Sequence, residues 1–167
     1  SGFGRTYLYG APMAWADTDE ELIKQFLGEN SALFGIAADD VELIFATDLL
    51  TRDATVLAYR QVRDGITVEH SALRFLTRTD QETGERVLVY AAGHLALEPV
   101  GGFSEVLIDA ETALQRAKSQ WTGSADLKWQ AAKLIIEPSA STRKDSRLVY
   151  RVVATGKDPA QVEDWAI

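Results

Sequence analysis

The dipeptide Asp64-Gly65 lies between two segments in which apolar and charged residues alternate, "RQVR" before it and "ITVEH" after it. Both residues tolerate the positive φ values of a type I′ turn, whose twist matches that of two paired strands. The pattern therefore predicts a β-hairpin, and with it a fold built around an antiparallel sheet. Pairing across this turn predicts a cross-strand ion pair between Arg60 and Glu69.

Residues 17–97 predict one helix followed by four strands. Thr18 and Glu21 have the spacing of a capping box, and Gly35 suits the position just past the end of the helix. The buried stripe predicted for this helix consists of Leu22, Ile23, Phe26, Leu27, Leu33 and Phe34. The strands are predicted at residues 41–47, 55–63, 66–78 and 86–97, as an antiparallel meander.

The second half of the chain repeats this order with fewer strands. Asp109 is the predicted N-cap of its helix. The buried stripe predicted for this helix consists of Ala110, Ala113, Leu114, Ala117 and Trp121. Strands are predicted at residues 127–137 and 146–155. We therefore predict the α+β fold class, with two related units that each pack a helix on an antiparallel sheet.

The domain boundary is predicted in the segment "EPVGGFSE", where a proline and two glycines interrupt both periodic patterns. The predicted divisions are an N-terminal extension (1–17), a first module (18–97), a linker (98–108) and a second module (109–167).

Charge and composition exclude several classes of partner and chemistry. The formal net charge is −8 and the isoelectric point is about 4.8, so nucleic acid is not a predicted partner. No run approaches the roughly 20 apolar residues that span a bilayer, so no membrane partner is predicted. The sequence contains no cysteine, which excludes disulfides, thiolate metal sites and cysteine catalysis.

No set of residues matches a catalytic or metal-binding signature. The two histidines, His70 and His94, lie on neighbouring predicted strands, and a metal site would need both of them and a carboxylate such as Glu69. Pairing across the turn places His70 opposite Tyr59 at the sheet surface, which favours a structural role. The sequence has no G-x-S-x-G elbow, and "GKDPA" lacks the spacing of a phosphate-binding loop. We therefore predict that the chain is not an enzyme, with no catalytic residue, metal or cofactor.

Three segments resemble the FTP (fungalysin/thermolysin propeptide) domain: "FLGENSALFGI", "YRQVRDGITVEHSALRFL" and "VYAAGHL". In that family a helix ending in Leu-Phe-Gly precedes a hairpin centred on Gly-Ile-x-Val. Residues 109–165, from "DAETALQRA" to "RLVYRVVATGKDPAQVEDW", are similar to the PepSY module that follows FTP in propeptides of thermolysin-like secreted zinc metalloproteases. The family commonly has Gly-Ile-Pro-Val where this chain has Thr67 in place of the proline.

This resemblance implies two cystatin-like units, an extracellular (secreted) location as part of a precursor, and binding to a cognate metalloprotease domain in cis. The implied role is that of an intramolecular chaperone and inhibitor. The zinc-binding H-E-x-x-H motif is absent from the sequence, so the chain corresponds to the pro-part of such a precursor, and it ends at "DWAI", inside the last strand that the family implies.

Two alternatives stay open. One is a non-catalytic binding or regulatory module of a large extracellular protein that lacks a protease domain. The other is a small enzyme that uses His70, Glu69 and His94.

The surface predicted to bind a partner starts from the segment "RLVYRVVA", which is apolar on both faces of a strand and therefore needs a second covering layer. Two tryptophans are expected to add aromatic anchors of the kind that contribute most to interfaces. The predicted partner-binding residues are Trp129, Val149, Arg151, Val153 and Trp165. The alternative is that these residues pack the two halves together. If these residues bind the protease, Val149→Asp and Arg151→Glu are expected to leave the isolated chain folded but to weaken inhibition of the protease.

Overall fold

The computed structural model describes residues 4–49, 53–96, 102–103, 105–123, 126–138, 146–156 and 162–167. Its helices are α1 (Asp19–Glu29), α2 (Ser31–Phe34) and α3 (Ala110–Gln120). Its strands are β1 (Gly4–Ala16), β2 (Val41–Leu49), β3 (Ala54–Arg63), β4 (Ile66–Val68), β5 (Ala72–Thr79), β6 (Arg86–Leu95), β7 (Lys128–Trp129), β8 (Lys133–Glu137), β9 (Arg147–Thr155) and β10 (Val162–Ala166). Residues 98–101 of the predicted linker and the letters "KDPA" of "GKDPA" lie outside the described residues.

In the part of the chain that the structure describes, the strands form one mixed sheet of ten strands. Its first part is antiparallel and runs in the order β2-β3-β5-β6-β1, which confirms the predicted pairing of the meander. Its second part contains β4, β8, β9 and β10, with β7 also paired to β9. The two parts are joined by the parallel pair β4-β8.

The prediction of two cystatin-like units, each a helix on its own antiparallel sheet, is wrong. The described residues instead form a single sheet-dominated fold with three short α-helices. Strand β3 belongs to both parts, because residues 54–59 pair with β5 and residues 62–63 pair with β4. The other edge of β4 carries backbone groups that need partners, and β8 supplies them.

Helix α1 packs on one face of the first part of the sheet. The predicted N-cap is confirmed, since the Thr18 hydroxyl oxygen accepts a hydrogen bond from the backbone N–H of Glu21 at 3.3 Å. The buried residues of the helix are four members of the predicted stripe, namely Leu22, Ile23, Phe26 and Leu27. They meet apolar side chains from β1, β3, β5 and β6, and this contact forms the main core.

The predicted first helix is interrupted near its end. The Asn30 side chain donates a hydrogen bond to the carbonyl of Phe26 at 2.8 Å, and the chain continues as the short helix α2. Gly35 ends α2 with φ = 68°, as the sequence predicts for a residue past a helix end. Phe34 is buried as predicted, but Leu33 is 51% exposed, so its inclusion in the core stripe is wrong.

Helix α3 packs against β9 in the second part of the sheet. Its predicted cap is confirmed, because the Asp109 carboxylate accepts a hydrogen bond from the backbone N–H of Thr112 at 2.7 Å. Ala113 and Ala117 are fully buried. Of the other residues in its predicted stripe, Leu114 and Trp121 are half-buried and Ala110 is exposed.

The predicted hairpin turn is confirmed. Asp64 and Gly65 have φ values of 49° and 76°, both positive as a type I′ turn requires. The turn joins β3 to β4, and Val62 pairs with Thr67.

The strand predicted at residues 66–78 is broken into β4 and β5 by a turn at 69–71. His70 has φ = 58°, a left-handed conformation that cannot continue a strand. The Ser71 hydroxyl donates a hydrogen bond to the carbonyl of Val68 at 2.6 Å and accepts one from the backbone N–H of Gln61 at 2.9 Å. These bonds stabilise the turn and attach it to β3.

This break changes the predicted register. Tyr59 lies opposite Leu73 rather than His70, because the turn adds residues between β4 and β5. The predicted ion pair between Arg60 and Glu69 is therefore wrong. Arg60 instead pairs with Glu42 on β2, with a distance of 2.8 Å between nitrogen and carboxylate oxygen.

The predicted N-terminal extension contains strand β1, which pairs with β6. The register is continuous to Tyr9 and resumes at Ala14, so the intervening residues bulge out of the ladder. Gly10 supplies the φ of 113° needed there. This bulge interrupts the alternation of the sequence, which is why the pattern did not predict a strand.

The second part of the sheet also differs in detail from the prediction. The strand predicted at residues 127–137 consists of β7 and β8, and both pair antiparallel with β9. The strand predicted at 146–155 is confirmed as β9. Strand β10 follows it and pairs with its other edge.

A buried glutamine attaches β3 to the end of β6 where the two parts of the sheet meet. Gln61 is fully buried, and its amide nitrogen donates to the carbonyl of Ala96 at 3.1 Å. Its amide oxygen accepts from the backbone N–H of Ala96 at 3.0 Å. Ala96 also packs with Val68 and Ile136, so apolar contact crosses the same junction.

Candidate functional site

Three of the five predicted partner-binding residues alternate along β9. Val149, Arg151 and Val153 therefore lie on one face of the second part of the sheet. Val149 is only 6% exposed and lies opposite Ile135 on β8. This burial opposes the expectation that Val149→Asp leaves the chain folded, since an unpaired carboxylate would lose its hydration there.

Arg151 is committed to partners within the chain. Its guanidinium forms ion pairs with Asp164 of β10 at 2.7 Å and with Glu69, next to β4, at 3.0 Å. The hydrogen bond to Asp164 is the main reason that the pKa of Arg151 is raised above its ordinary value. Arg151 therefore links three segments of the second part of the sheet and is less available to a partner than the sequence suggests.

The two predicted tryptophans lie on the opposite face. Trp129 pairs with Ala154, and Trp165 pairs with Val152, and these two β9 residues alternate with Val153. The five predicted residues thus share one sheet but not one face.

The two rings stack with their centroids 4.9 Å apart and an interplanar angle of 26°. Trp121, at the end of α3, meets Trp165 edge-on at 6.3 Å. This tryptophan cluster (Trp121, Trp129 and Trp165) is half-buried beside α3, where the rings bury one another. It acts as a packing contact between α3 and the second part of the sheet.

The residues of the alternative small enzyme do not form a common site. His70 and Glu69 line a small cavity of about 210 Å³ together with Arg151 and Asp164. His94 lies on β6, opposite Ala72, in the first part of the sheet. Within the described ranges, no three or more His, Asp or Glu side chains are grouped so that they could hold a metal ion.

A further candidate surface, which was not predicted from the sequence, is the face of the first part of the sheet opposite α1, here called the open face. Helix α1 packs on Leu57 and Tyr59, so the alternate residues of β3, such as Val56 and Ala58, face away from it. The register extends this face over five strands. Its main rows are Phe45-Ala58-Arg74-Ala92-Tyr7, Thr47-Val56-Leu76-Tyr90-Tyr9 and Leu49-Ala54-Arg78-Val87-Trp15.

The open face carries an unusual number of exposed aromatic side chains. Tyr9 is 77% exposed, Tyr7 55%, Phe45 48% and Trp15 45%. Exposed aromatic residues grouped on one face are typical of protein interfaces, because each buries a large area at little cost in conformational entropy.

The charge of the open face is opposite to that of the whole chain. The chain has a net charge of −8, yet Arg74 and Arg78 are exposed on this face. Among the described strand positions of the face, the only carboxylate is Glu42, which is paired with Arg60. The face therefore presents arginines among aromatic rings, a combination enriched where proteins bind one another.

A sequence signal for this face exists. Tyr7 and Tyr9 are two residues apart, as are members of the series Arg74, Leu76 and Arg78, so each set lies on one side of its strand. The sequence does not tell which side the helix covers.

The helices in the described part of the chain are too short or too polar to cross a membrane. In comparisons with known proteins, no family model matches the chain and no curated protein matches it.

Proposed function

We propose that this chain is the non-catalytic pro-region of a secreted zinc metalloprotease precursor, which binds the protease domain in cis as an intramolecular chaperone and inhibitor. The open face is the observation that carries the proposal, and it is the docking surface. The resemblance of the sequence to FTP and PepSY modules supplies the class of partner. Chemistry by the chain itself is not needed for this role, because an inhibitor of this kind works by covering the active-site cleft.

The residues of the open face explain how such binding would gain its energy. Burial of Tyr7, Tyr9 and Phe45 against an apolar surface removes large apolar areas from water. Arg74 and Arg78 then select a partner that offers carboxylates beside its apolar groups. The backbone of these five strands is already held by the hydrogen bonds of the sheet, so little backbone conformational entropy is lost on binding.

The first test is the parent reading frame downstream of the codon for Ile167. An H-E-x-x-H motif in a following domain supports the proposal. A frame without that motif overturns it and favours the binding or regulatory module of a larger extracellular protein.

The second test is inhibition of the mature protease domain from that precursor by this chain added in trans. Arg74→Glu on the open face should raise the inhibition constant by about tenfold or more, since it reverses a charge at the interface. Arg116→Glu makes the same change at an exposed position of α3 and should leave the constant within about twofold. Circular dichroism of both variants establishes that they remain folded.

The outcomes separate the two candidate surfaces. Wild-type chain that fails to inhibit the protease overturns the proposal. If Arg74→Glu has no effect but folded Arg151→Glu abolishes inhibition, docking occurs on the β9 face that the sequence analysis predicted.

A further inference from the structure

Strand β2 lies at an edge of the first part of the sheet. It pairs with β3, and within the described residues no strand pairs with its other edge. Most of its nine residues are exposed, and Leu43, Ile44 and Phe45 are consecutive apolar side chains that are each about half exposed. An edge strand of this length and character offers unpaired backbone N–H and C=O groups to another chain.

The usual protections of an edge strand are weak in β2. Its sequence, "VELIFATDL", contains neither lysine nor proline. Both carboxylates of the strand already interact with β3. Glu42 pairs with Arg60, and Asp48 accepts a hydrogen bond from the Thr55 hydroxyl at 2.8 Å. The strand has a bulge between Leu43 and Phe45, which leaves residues on both sides of it paired to β3.

A groove of about 490 Å³ runs between this edge strand and helix α1. Its walls are apolar, and it contains side chains from α1, β2 and β3. The apolar lining residues are Ile23, Leu27, Val41, Leu43, Ala46 and Leu57. A strand added beside β2 would place every second side chain on the α1 side of the sheet, over this groove.

The groove is also lined by charged side chains of α1. Asp19, Glu20 and Lys24 line it, and Lys24 is hydrogen-bonded to Glu20 at 3.0 Å. Asp39 is close enough to contribute to the raised pKa of Lys24, although the hydrogen bond to Glu20 is the main cause. Asp19 is paired with Arg86, which leaves Glu20 and Asp39 as the two carboxylates near one lysine. Because the chain as a whole also has a net charge of −8, a basic ligand is favoured over an acidic one.

We infer that the edge of β2 binds an extended peptide segment by strand addition, with apolar side chains in the α1 groove and basic side chains near Glu20 and Asp39. Backbone hydrogen bonds to β2 supply affinity, and the groove selects alternate side chains. This surface shares strand β2 with the open face, but it uses the unpaired edge of that strand and its α1 side. The inference does not depend on the proposed function.

The probe that tests this inference is a short fluorescein-labelled synthetic peptide with valine and lysine at successive positions along one face of the strand and threonine along the other face. Both side chains that are tested can then lie on the α1 side. Binding is measured by fluorescence anisotropy. The same peptide N-methylated at alternate backbone amides keeps its side chains and charge but lacks the N–H donors that the ladder needs, so it should bind at least about tenfold more weakly. A peptide with glutamate in place of lysine should also bind about tenfold more weakly.

The matched variants are Leu43→Ser and Leu33→Ser, which make the same change at leucines of similar exposure, 48% and 51%. Leu43 lines the groove, so its variant should bind the valine/lysine peptide about tenfold more weakly. Leu33 lies on α2 outside the groove lining, and its variant should bind within about twofold of the unaltered chain.

Two results would overturn the inference. Equal binding of the N-methylated and unmodified peptides would mean that charge alone attracts the probe. Absence of peptide binding, with a concentration-dependent dimer that Leu43→Ser abolishes, would mean that a second copy of the chain occupies the edge.

Discussion

Helix α1 and helix α3 each pack on the sheet, but they bury different kinds of side chain. Helix α1 buries Leu22, Ile23, Phe26 and Leu27. Helix α3 buries Ala113 and Ala117. Among the described residues, the core cluster around α1 has fourteen buried members, whereas the cluster at the junction with the second part of the sheet has three.

The ion pairs of the two parts of the sheet also differ in burial, and the more buried one lies in the first part. In the first part, Arg86 is mostly buried and forms an ion pair with Asp19 at 2.9 Å. In the second part, Arg147 pairs with Glu137 and Arg151 pairs with Asp164, both at the surface. Exposed ion pairs contribute little to stability, so the second part relies on weaker interactions and should open before the first in native-state hydrogen exchange.

The largest expected effect is at Phe26, which contacts Phe34 and Phe75 edge-on with ring centroids 5.9 and 6.1 Å away. Phe26→Ala should lower the free energy of unfolding by about 3–5 kcal/mol, because it leaves a cavity in the main core. Leu114→Ala, at a half-buried position of α3, should cost only about 1 kcal/mol. Urea denaturation measures both, and equal losses would contradict the difference drawn between the two helices.

The second-largest expected effect on stability comes from removing the guanidinium of Arg86, compared with that of Arg151. The Arg86 guanidinium donates to Asp19 and also to the hydroxyls of Thr55 and Thr77, at 2.8 and 2.7 Å. Arg86→Met would leave these buried acceptors without their donor and should cost about 1–3 kcal/mol in urea denaturation. Arg151→Met removes a half-exposed guanidinium and should cost less than about 1 kcal/mol. A larger loss of unfolding free energy for Arg151→Met than for Arg86→Met would show that the surface ion pairs stabilise the second part more than the buried pair stabilises the first.

The third expected effect comes from substituting Gly65 in the turn that joins β3 to β4, where the two parts of the sheet meet. Gly65 has φ = 76°, and a Cβ placed on it would meet no atom within 4 Å, so backbone strain is the main effect of a substitution. Gly65→Val should cost about 1–2 kcal/mol, because a β-branched residue is strongly disfavoured at this φ. Gly65→Asn should cost less, since asparagine tolerates the left-handed region. A denaturation midpoint unchanged by valine would mean that the turn differs from type I′ in solution.

The smallest effect concerns two exposed aspartates, one in each part. Backbone N–H donors lower the pKa of Asp80, mainly through Thr83, and that of Asp109, mainly through Thr112. Because the folded pKa lies below the ordinary value of 3.8, each group stabilises the fold above that pH. This contribution is lost as the pH falls through the folded pKa. Carboxyl NMR titration should give values below 3.8 for both aspartates, and Asp109→Asn should keep the cap but remove its share of the pH dependence.

Local features of the fold could be predicted from the sequence. The Asp64-Gly65 turn, the Thr18 and Asp109 caps and four residues of the stripe predicted for the first helix, Leu22, Ile23, Phe26 and Leu27, are confirmed. Each depends on residues only a few positions apart, whose dihedral preferences and hydrogen bonds are local. Errors begin where the local signal is interrupted, as at the bulge after Tyr9 that hid strand β1.

Contacts between distant segments could not be predicted in the same way. The sequence suggested Glu69 as the partner of Arg60, but the turn at 69–71 moved Glu69 next to Arg151. Many strand pairings satisfy the same backbone groups almost equally well, so the choice among them depends on the whole arrangement. The predicted partner-binding residues illustrate this limit, because alternation along β9 was correctly inferred while the tryptophans lie on the other face.

By itself the sequence determined the Asp64-Gly65 turn, the two helix caps, the uninterrupted strands of the meander and the apolar stripe of α1. These features depend on sterics and hydrogen bonds between residues that are close in the chain. The tertiary structure alone decided that β4 pairs with β8, and that choice merged two expected units into one sheet. It also decided which face of the first part α1 covers. The open face and the groove beside β2 both follow from that placement, since a helix that buries one side of a sheet leaves the other side and any unpaired edge exposed to partners.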